Sequence, residues 1–220
     1  MQYFYDSNAG EGQIKISGED YKYLFRVKRL SLGDLIDVRN LRDKFRYSYQ
    51  ISGINRKDAI LRLKGKVEDM EITDDFHIGW CVIDPKTVEK NIHILNELGV
   101  SKISFIYCER SQKNFKPNLT RLKKILINSS MQCGRGDIME LEVLKNLYEF
   151  VEIYQNFTVI DFGSEKNGDF KASRILVGAE GGFTDSEKEA FCEFKKLSFQ
   201  IKSILRSETA VICATSKILA

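Results

Sequence analysis

The chain has 220 residues, 43% of them hydrophobic and 30% charged, with a formal net charge of +3. That is enough apolar material for one large core or two small ones, and too much for a chain disordered throughout. No run approaches the roughly 18 apolar residues of a membrane span, and the opening stretch 1–13 has neither a basic flank nor an apolar core, so a soluble, cytoplasmic protein without a membrane partner is expected.

In chain order, the first 70 residues read as β structure. Gln13–Ile16, Leu35–Val38, Phe45–Ile51 and Ala59–Leu63 are short β-rich runs, parted by Gly33-Asp34, Asn40, Gly53 and Asn55. A helix-like insert lies between Gly18 and Leu30. The pattern suits a small β-barrel. Between Lys22 and Arg46, the cations Lys22, Arg26, Lys28, Arg29, Arg39, Arg42, Lys44 and Arg46 face only Asp34, Asp37 and Asp43.

After Glu68 the period changes. Ile78–Ile83 is an apolar strand; Val88, Ile92, Leu95 and Leu98 recur at helical spacing, and Gly99 sits where that helix would stop. Ile103–Cys108 reads as a strand, Leu119–Met131 as a helix, and Phe157–Asp161 and Arg174–Val177 as strands. A last helix is expected over Ala210–Leu219. Strands alternating with helices imply an α/β domain built on a mostly parallel sheet. The domain boundary is expected near residues 69–76, dividing the chain into 1–70 and 71–220. Between Arg110 and Arg135 there are seven basic residues and no acidic one. Together with the first cluster this points to a polyanionic partner, the plain alternative being two solvated faces.

The five cysteines, Cys81, Cys108, Cys133, Cys192 and Cys213, are far apart and form no C-x-x-C pair. With only His77 and His93 beside them, no metal site is expected, and buried reduced thiols are the plain reading.

The richest segment is 175–187, Ile-Leu-Val-Gly-Ala-Glu-Gly-Gly-Phe-Thr-Asp-Ser-Glu. A buried strand runs into a glycine turn and then a helix whose start is marked by the capping-box spacing of Thr184 and Glu187. Gly178, Gly181 and Gly182 allow close approach of a ligand or positive φ, and free amides at such a turn favour an anion or carboxylate. No Gly-Lys-Ser/Thr follows, and G-x-G-x-x-G is not matched, so neither a Walker loop nor a dinucleotide fingerprint is present. Taken alone, the turn could equally be a tight connection. The second segment, 201–210, reads Ile-Lys-Ser-Ile-Leu-Arg-Ser-Glu-Thr-Ala. Arg206 and Glu208 there could form an ordinary surface ion pair, but their place between two apolar runs suits groups aimed into a cleft.

G-A-E-G-G-F-T-x-x-E followed by I-L-R-x-E-T-A resembles the SPOUT-class methyltransferases. Within them it is similar to the bacterial 16S ribosomal RNA uridine-N3 methyltransferases, the ribosomal RNA small subunit methyltransferase E family. The resemblance extends to Arg26-Val27-Lys28-Arg29-Leu30 with Gly33-Asp34, to Glu97-Leu98-Gly99-Val100, to Glu109-Arg110-Ser111, and to Gln132 and Arg135. The chain departs from the family at Ala179, Tyr23 and Ile94, where proline, histidine and lysine are usual, which argues against an essential chemical role for positions 23 and 94. By resemblance, the fold is a PUA-like β-barrel domain that binds RNA, followed by an α/β domain tied in a trefoil knot. The cofactor would be S-adenosyl-L-methionine, held by Phe162, Gly163, Val177, Gly178, Glu180, Gly182, Ile201, Ile204, Leu205, Arg206, Glu208, Thr209 and Ala210.

Deprotonating uracil N3 and stabilising the resulting charge on O2 and O4 calls for a base and a cation. Arg206 and Arg110 are candidates for the cation. Glu180 or Glu208 could take the proton, or either could orient an arginine or cap a helix. Arg26, Lys28, Arg29, Arg110, Gln132 and Arg135 are the candidate RNA contacts. The partner would be 16S ribosomal RNA, free or within the small subunit. A homodimer is expected, with Val211, Ile212, Ile218 and Leu219 supplying part of its interface. A ribose 2′-hydroxyl acceptor, an RNA-binding homologue without catalysis, and a nucleotide-binding oxidoreductase are the alternatives.

Overall fold

The computed structural model describes residues 1–68, 75–161 and 171–219. The chain forms two units, one of Met1–Ile72 with Ser130–Ile138 and the other of Thr73–Ser129 with Met139–Ala220. The boundary expected near residues 69–76 falls largely outside the described residues. The segment Ser130–Ile138, which the sequence reading counts with the second domain, groups with the first unit.

The first unit is a five-stranded sheet in the order β1(Phe4–Tyr5), β3(Leu35–Arg39), β4(Phe45–Ile54), β5(Asp58–Glu68), β2(Gln13–Ser17). All its pairings are antiparallel except β1 with β3. Strand β4 carries register shifts at Ser48/Tyr49 and Ile51/Gly53, and such bulges add bend to a sheet. Alternate residues Ile14, Ile16, Ile36, Val38, Tyr47, Tyr49 and Ile51 close over one core, as period-two patterning requires. The helical insert begins as α1(Gly18–Tyr21) and continues as a wider π-wound turn over Lys22–Val27. It ends at Arg29, which adopts φ 61°, a left-handed conformation uncommon for a residue with a Cβ.

The second unit is a parallel six-stranded sheet. Its order is β11(Lys196–Leu197), β9(Thr158–Ile160), β10(Arg174–Val177), β6(His77–Cys81), β7(Lys102–Ile106), β8(Glu140–Leu144). The strands β6, β9 and β10 are almost wholly buried, which explains their unbroken apolar runs. Helices α2(Pro85–Glu97), α3(Leu119–Cys133), α4(Leu147–Ile153), α5(Asp185–Ala190) and α6(Ser207–Leu219) connect or follow them. Asp84 caps α2 by accepting from the Thr87 amide, and Gly99 ends it with φ 94°.

Two expectations change. Cys81 and Cys108 are buried as expected, but they are joined as a disulfide between the ends of β6 and β7. Val211 is fully buried within its own protomer, so it cannot form part of a dimer surface; Ile212, Ile218 and Leu219 remain partly exposed. Among the described residues no helix is long and apolar enough to cross a membrane.

Candidate functional site

Parallel strands leave their carboxyl ends and the loops after them as the usual place for a ligand. In the second unit those loops carry both sequence segments singled out above. Strand β10 ends at Val177, and the turn Gly178–Gly182 closes with the Gly182 amide donating to the Ala179 carbonyl at 2.9 Å. Gly182 has φ 66°, and a Cβ there would meet nothing within 4 Å. The backbone thus needs glycine while the space beside it stays open. At Gly181 a Cβ would lie 3.3 Å from the Arg110 side chain; its absence lets Arg110 lie across the turn and donate from Nη1 to the Gly181 carbonyl at 2.6 Å.

Helix α5 begins directly after the turn with the expected capping box: Thr184 receives the Glu187 amide, and Glu187 receives the Thr184 amide. Glu187 does more than its spacing suggests. It is only 1% exposed, and its Oε1 accepts the Glu109 amide at 2.8 Å while Oε2 accepts from Thr184 at 3.0 Å. One carboxylate therefore pins the loop after β7, which carries Arg110, to the helix after the glycine turn.

A second tie joins the turn to segment 201–210. Ser207 donates from Oγ to the Gly178 carbonyl at 2.5 Å and accepts from the buried Trp80 indole at 2.9 Å. Ser207 fills the variable place in I-L-R-x-E-T-A, so motif reading passed over it; only a hydroxyl's ability to donate and accept at once could have drawn notice. Just before it, Ile204 is 87% exposed and Ile201 47%. Two bare isoleucines beside an open glycine turn form a concave apolar ledge with backbone polar groups at its rim, which suits a flat heteroaromatic ring carrying a charged tail.

The charged candidates divide. Arg206 and Glu180 are exposed, and among the described residues neither has a hydrogen-bonding or ionic side-chain partner, so the Arg206–Glu208 ion pair considered above does not form. Glu208 is half-buried in the first turn of α6, and Leu205 and Thr209 flank the same helix start. The Val177 and Ala210 side chains are buried, and the Ala210 amide is spent on the Arg206 carbonyl; neither side chain can touch a ligand. Phe162 and Gly163 lie outside the described residues.

Of the RNA candidates, Arg26, Lys28 and Arg29 are exposed on the first unit; Lys28 leans over the Tyr23 ring. Gln132 is also exposed. Arg135 is not a surface cation. It is 2% exposed and its guanidinium meets both oxygens of Asp137 at 2.7 and 3.0 Å, a buried pair that holds the segment following α3.

At the opposite edge of the sheet lies a polar cluster that the sequence reading did not foresee. His77 Nδ1 meets Arg174 Nε at 2.7 Å and its Nε2 meets Ser104 Oγ at 2.6 Å. Ser104 and Tyr154 both donate to Glu142, with Lys102 3.2 Å from its other oxygen. Burial, reinforced by the Arg174 and Lys102 cations, pushes the His77 pKa down to about 3. Burial alone would raise Glu142, but hydrogen bonds from Ser104, Tyr154 and Lys102 outweigh it and hold its carboxyl below the usual range.

Comparison with known proteins follows this geometry. A family model described as an RNA methyltransferase domain matches residues 70–219, and one described as an RNA methyltransferase PUA domain matches residues 16–64. The chain is 38% identical to a ribosomal RNA small subunit methyltransferase E of Helicobacter pylori, over 98% of each chain. Among solved structures, a Legionella pneumophila methyltransferase in complex with SAM superposes with a TM-score of 0.83 at 22% identity, covering 98% of this chain and 95% of that one. A ribosomal RNA small subunit methyltransferase E of Neisseria gonorrhoeae bound to S-adenosyl methionine gives 0.80 at 20% identity, with the same coverage.

Proposed function

The chain belongs to the ribosomal RNA small subunit methyltransferase E family, and from that premise we propose that it methylates N3 of one uridine in 16S ribosomal RNA with S-adenosyl-L-methionine as the donor. Its fold is a PUA-like domain with a SPOUT methyltransferase domain. The observation that carries the reading is the junction built by Ser207, which ties the glycine turn to the exposed isoleucine loop.

Gly178–Gly182 and the ledge of Ile201 and Ile204 would hold the cofactor, with Leu205, Glu208 and Thr209 at its border. When bound, the cofactor supplies an electrophilic methyl group. The chain's part is to place the acceptor nitrogen, take its proton and steady the charge that develops. Arg206, exposed and without an ionic partner among the described residues, is the group suited to the uracil oxygens. Glu180 is the carboxylate free to take the N3 proton. Arg110, whose guanidinium already donates to Gly181, shapes the turn and presents its remaining donors outward. N3 lies on the pairing edge of uracil, so the target base must be unpaired or extruded. Arg26, Lys28 and Arg29 would hold phosphates from the PUA-like unit. The protein would act in the cytoplasm as a homodimer, with Ile212, Ile218 and Leu219 at the interface; light scattering at tens of micromolar should give twice the chain mass, and a monomer there would rule the dimer out.

The test of the acceptor is mass mapping of 16S ribosomal RNA from a strain lacking the gene, with and without a plasmid copy. Loss of a single 3-methyluridine, restored by the plasmid, is expected. Loss of a 2′-O-methyl group would redirect the acceptor to ribose, and unchanged RNA would remove catalysis altogether.

A further inference from the structure

A cleft of about 520 Å³ opens beyond the carboxyl ends of β7 and β8, within the roughly 300–1,000 Å³ of small-ligand sites. Tyr107, Lys113, Lys145 and Tyr148 line it, with Glu109 and Glu187 at one side. We propose that this cleft holds an unpaired RNA nucleotide that flanks the methylated one; the inference rests on the reading of the chain as an RNA methyltransferase.

The lining chemistry favours that ligand. Lys113 and Lys145 are exposed, and among the described residues neither side chain has an ionic partner. Tyr148 is 48% exposed, and its hydroxyl has no hydrogen-bond partner among the described residues. Tyr107 is anchored, its hydroxyl donating to the Phe115 carbonyl at 2.7 Å, which fixes its ring at the cleft. Cations beside aromatic faces are what a single-stranded nucleotide needs: charge for the phosphate and a flat surface for the base. The two carboxylates do not cancel the lysines. Both Glu187 oxygens are occupied by the Glu109 and Thr184 amides, and Glu109 accepts from Ser186 at 3.3 Å.

Position decides between the target base and a neighbour. No residue of the glycine turn or of 201–210 lines the cleft, so a base seated there lies beside the methyl-transfer site and not in it. The two places share one support. Glu187 starts the helix after the glycine turn and also fixes the Glu109 loop that forms the cleft's side, so a nucleotide bound here would set the register of the strand entering the site. Lys113 lies in the basic run between Arg110 and Arg135 that cofactor binding leaves unused.

The test compares Lys113→Glu with Lys145→Glu as a double variant, and Tyr148→Ala alone, against wild type. Binding of a fluorescent single-stranded RNA hexamer is measured across a salt series, and methylation kinetics on small-subunit RNA are measured in parallel. S-adenosylhomocysteine affinity serves as the control for folding. The double variant should weaken RNA binding at least about tenfold and flatten its salt dependence by nearly two units, one for each lost phosphate contact. Tyr148→Ala should raise the hexamer Kd and the RNA KM about tenfold while kcat and cofactor affinity hold. Wild-type hexamer binding and KM in these variants would overturn the proposal. If the wild type binds the hexamer and the variants do not, but no RNA is methylated, the cleft stands and the methyltransferase reading falls. A double variant that has lost cofactor affinity leaves Tyr148→Ala, an exposed position, to decide.

Discussion

The two edges of the parallel sheet are both crowded with polar groups, and they dispose of them in opposite ways. At the amino edge, His77, Ser104, Glu142, Tyr154, Lys102 and Arg174 satisfy one another in a closed network. At the carboxyl edge, Ser207 and Glu187 also bond inward, but only to hold loops that present Arg206, Glu180 and two bare isoleucines to the outside. A Ser–His–Glu constellation thus sits at the edge that does no chemistry, because Ser104 is wholly buried and can reach no substrate. A cleft of about 540 Å³ beside Arg174 and Lys195 opens on that same amino edge, away from the end of a parallel sheet where ligands ordinarily bind. Saturation separates groups that maintain the fold from groups that meet a ligand better than residue type does.

Substitutions at the two edges should therefore fail in different assays. The largest effect is expected from Arg206→Ala, which should lower kcat by about a hundredfold to a thousandfold while S-adenosylhomocysteine affinity and unfolding midpoint stay near wild type; single-turnover methylation measures it. At the other edge, Glu142→Ala strips the acceptor from two hydroxyls and a lysine and should cost about 2–3 kcal/mol of stability by denaturant unfolding. Cofactor affinity should not change, and a loss of it would blur the distinction between the edges. Ser207→Ala lies between these cases. It leaves the Trp80 indole buried without an acceptor, costing about 1–2 kcal/mol, and it unties the glycine turn from the isoleucine loop, so cofactor affinity should also fall. Ser207→Thr, which keeps the hydroxyl, should restore most of both.

The smallest effect concerns pH. His77 in the folded protein resists protonation, with a pKa near 3 against about 6.5 when unfolded. Its contribution to stability is complete above 6.5 and is lost as pH falls from there toward 3. One such group removes about 1 kcal/mol between pH 6.5 and 5.5. The Glu142 carboxyl, held below its usual range, adds its own loss only further into acid. Unfolding midpoints at pH 7, 6.5 and 5.5 should show the decline, and His77→Gln should flatten it; an equal slope in the variant would assign the decline elsewhere.

Much of the carboxyl edge was legible because the chemistry there is local. A glycine turn after an apolar strand, a capping box at fixed spacing and the ordered match of several motifs are all contiguous in sequence. The amino-edge network was not, since His77, Ser104, Glu142 and Arg174 come together only through strand order β10-β6-β7-β8, and pairing across a parallel sheet leaves no periodic trace. Strand β8 was missed for a related reason. As an edge strand with Glu140 and Glu142 exposed or half-exposed, it lacks the apolar run that marked its neighbours. The same limit hid the burial of Arg135: beside Gln132 it reads as a surface cation, and only the partner Asp137 and the packed first unit reveal a structural pair. Cys81 and Cys108, 27 residues apart, are brought together by the adjacency of β6 and β7, which spacing alone does not announce.

The most direct test of the division between the two edges is calorimetric titration of S-adenosylhomocysteine into wild type, Gly182→Val and Glu142→Ala. Valine at position 182 would fill space that holds no protein atom within 4 Å and would force a β-branched residue to φ 66°. The account predicts micromolar binding by wild type, the same affinity for Glu142→Ala despite its lower stability, and no detectable heat for a folded Gly182→Val. Binding by Gly182→Val at wild-type affinity, or its loss in a folded Glu142→Ala, would contradict the assignment of the cofactor to the carboxyl edge.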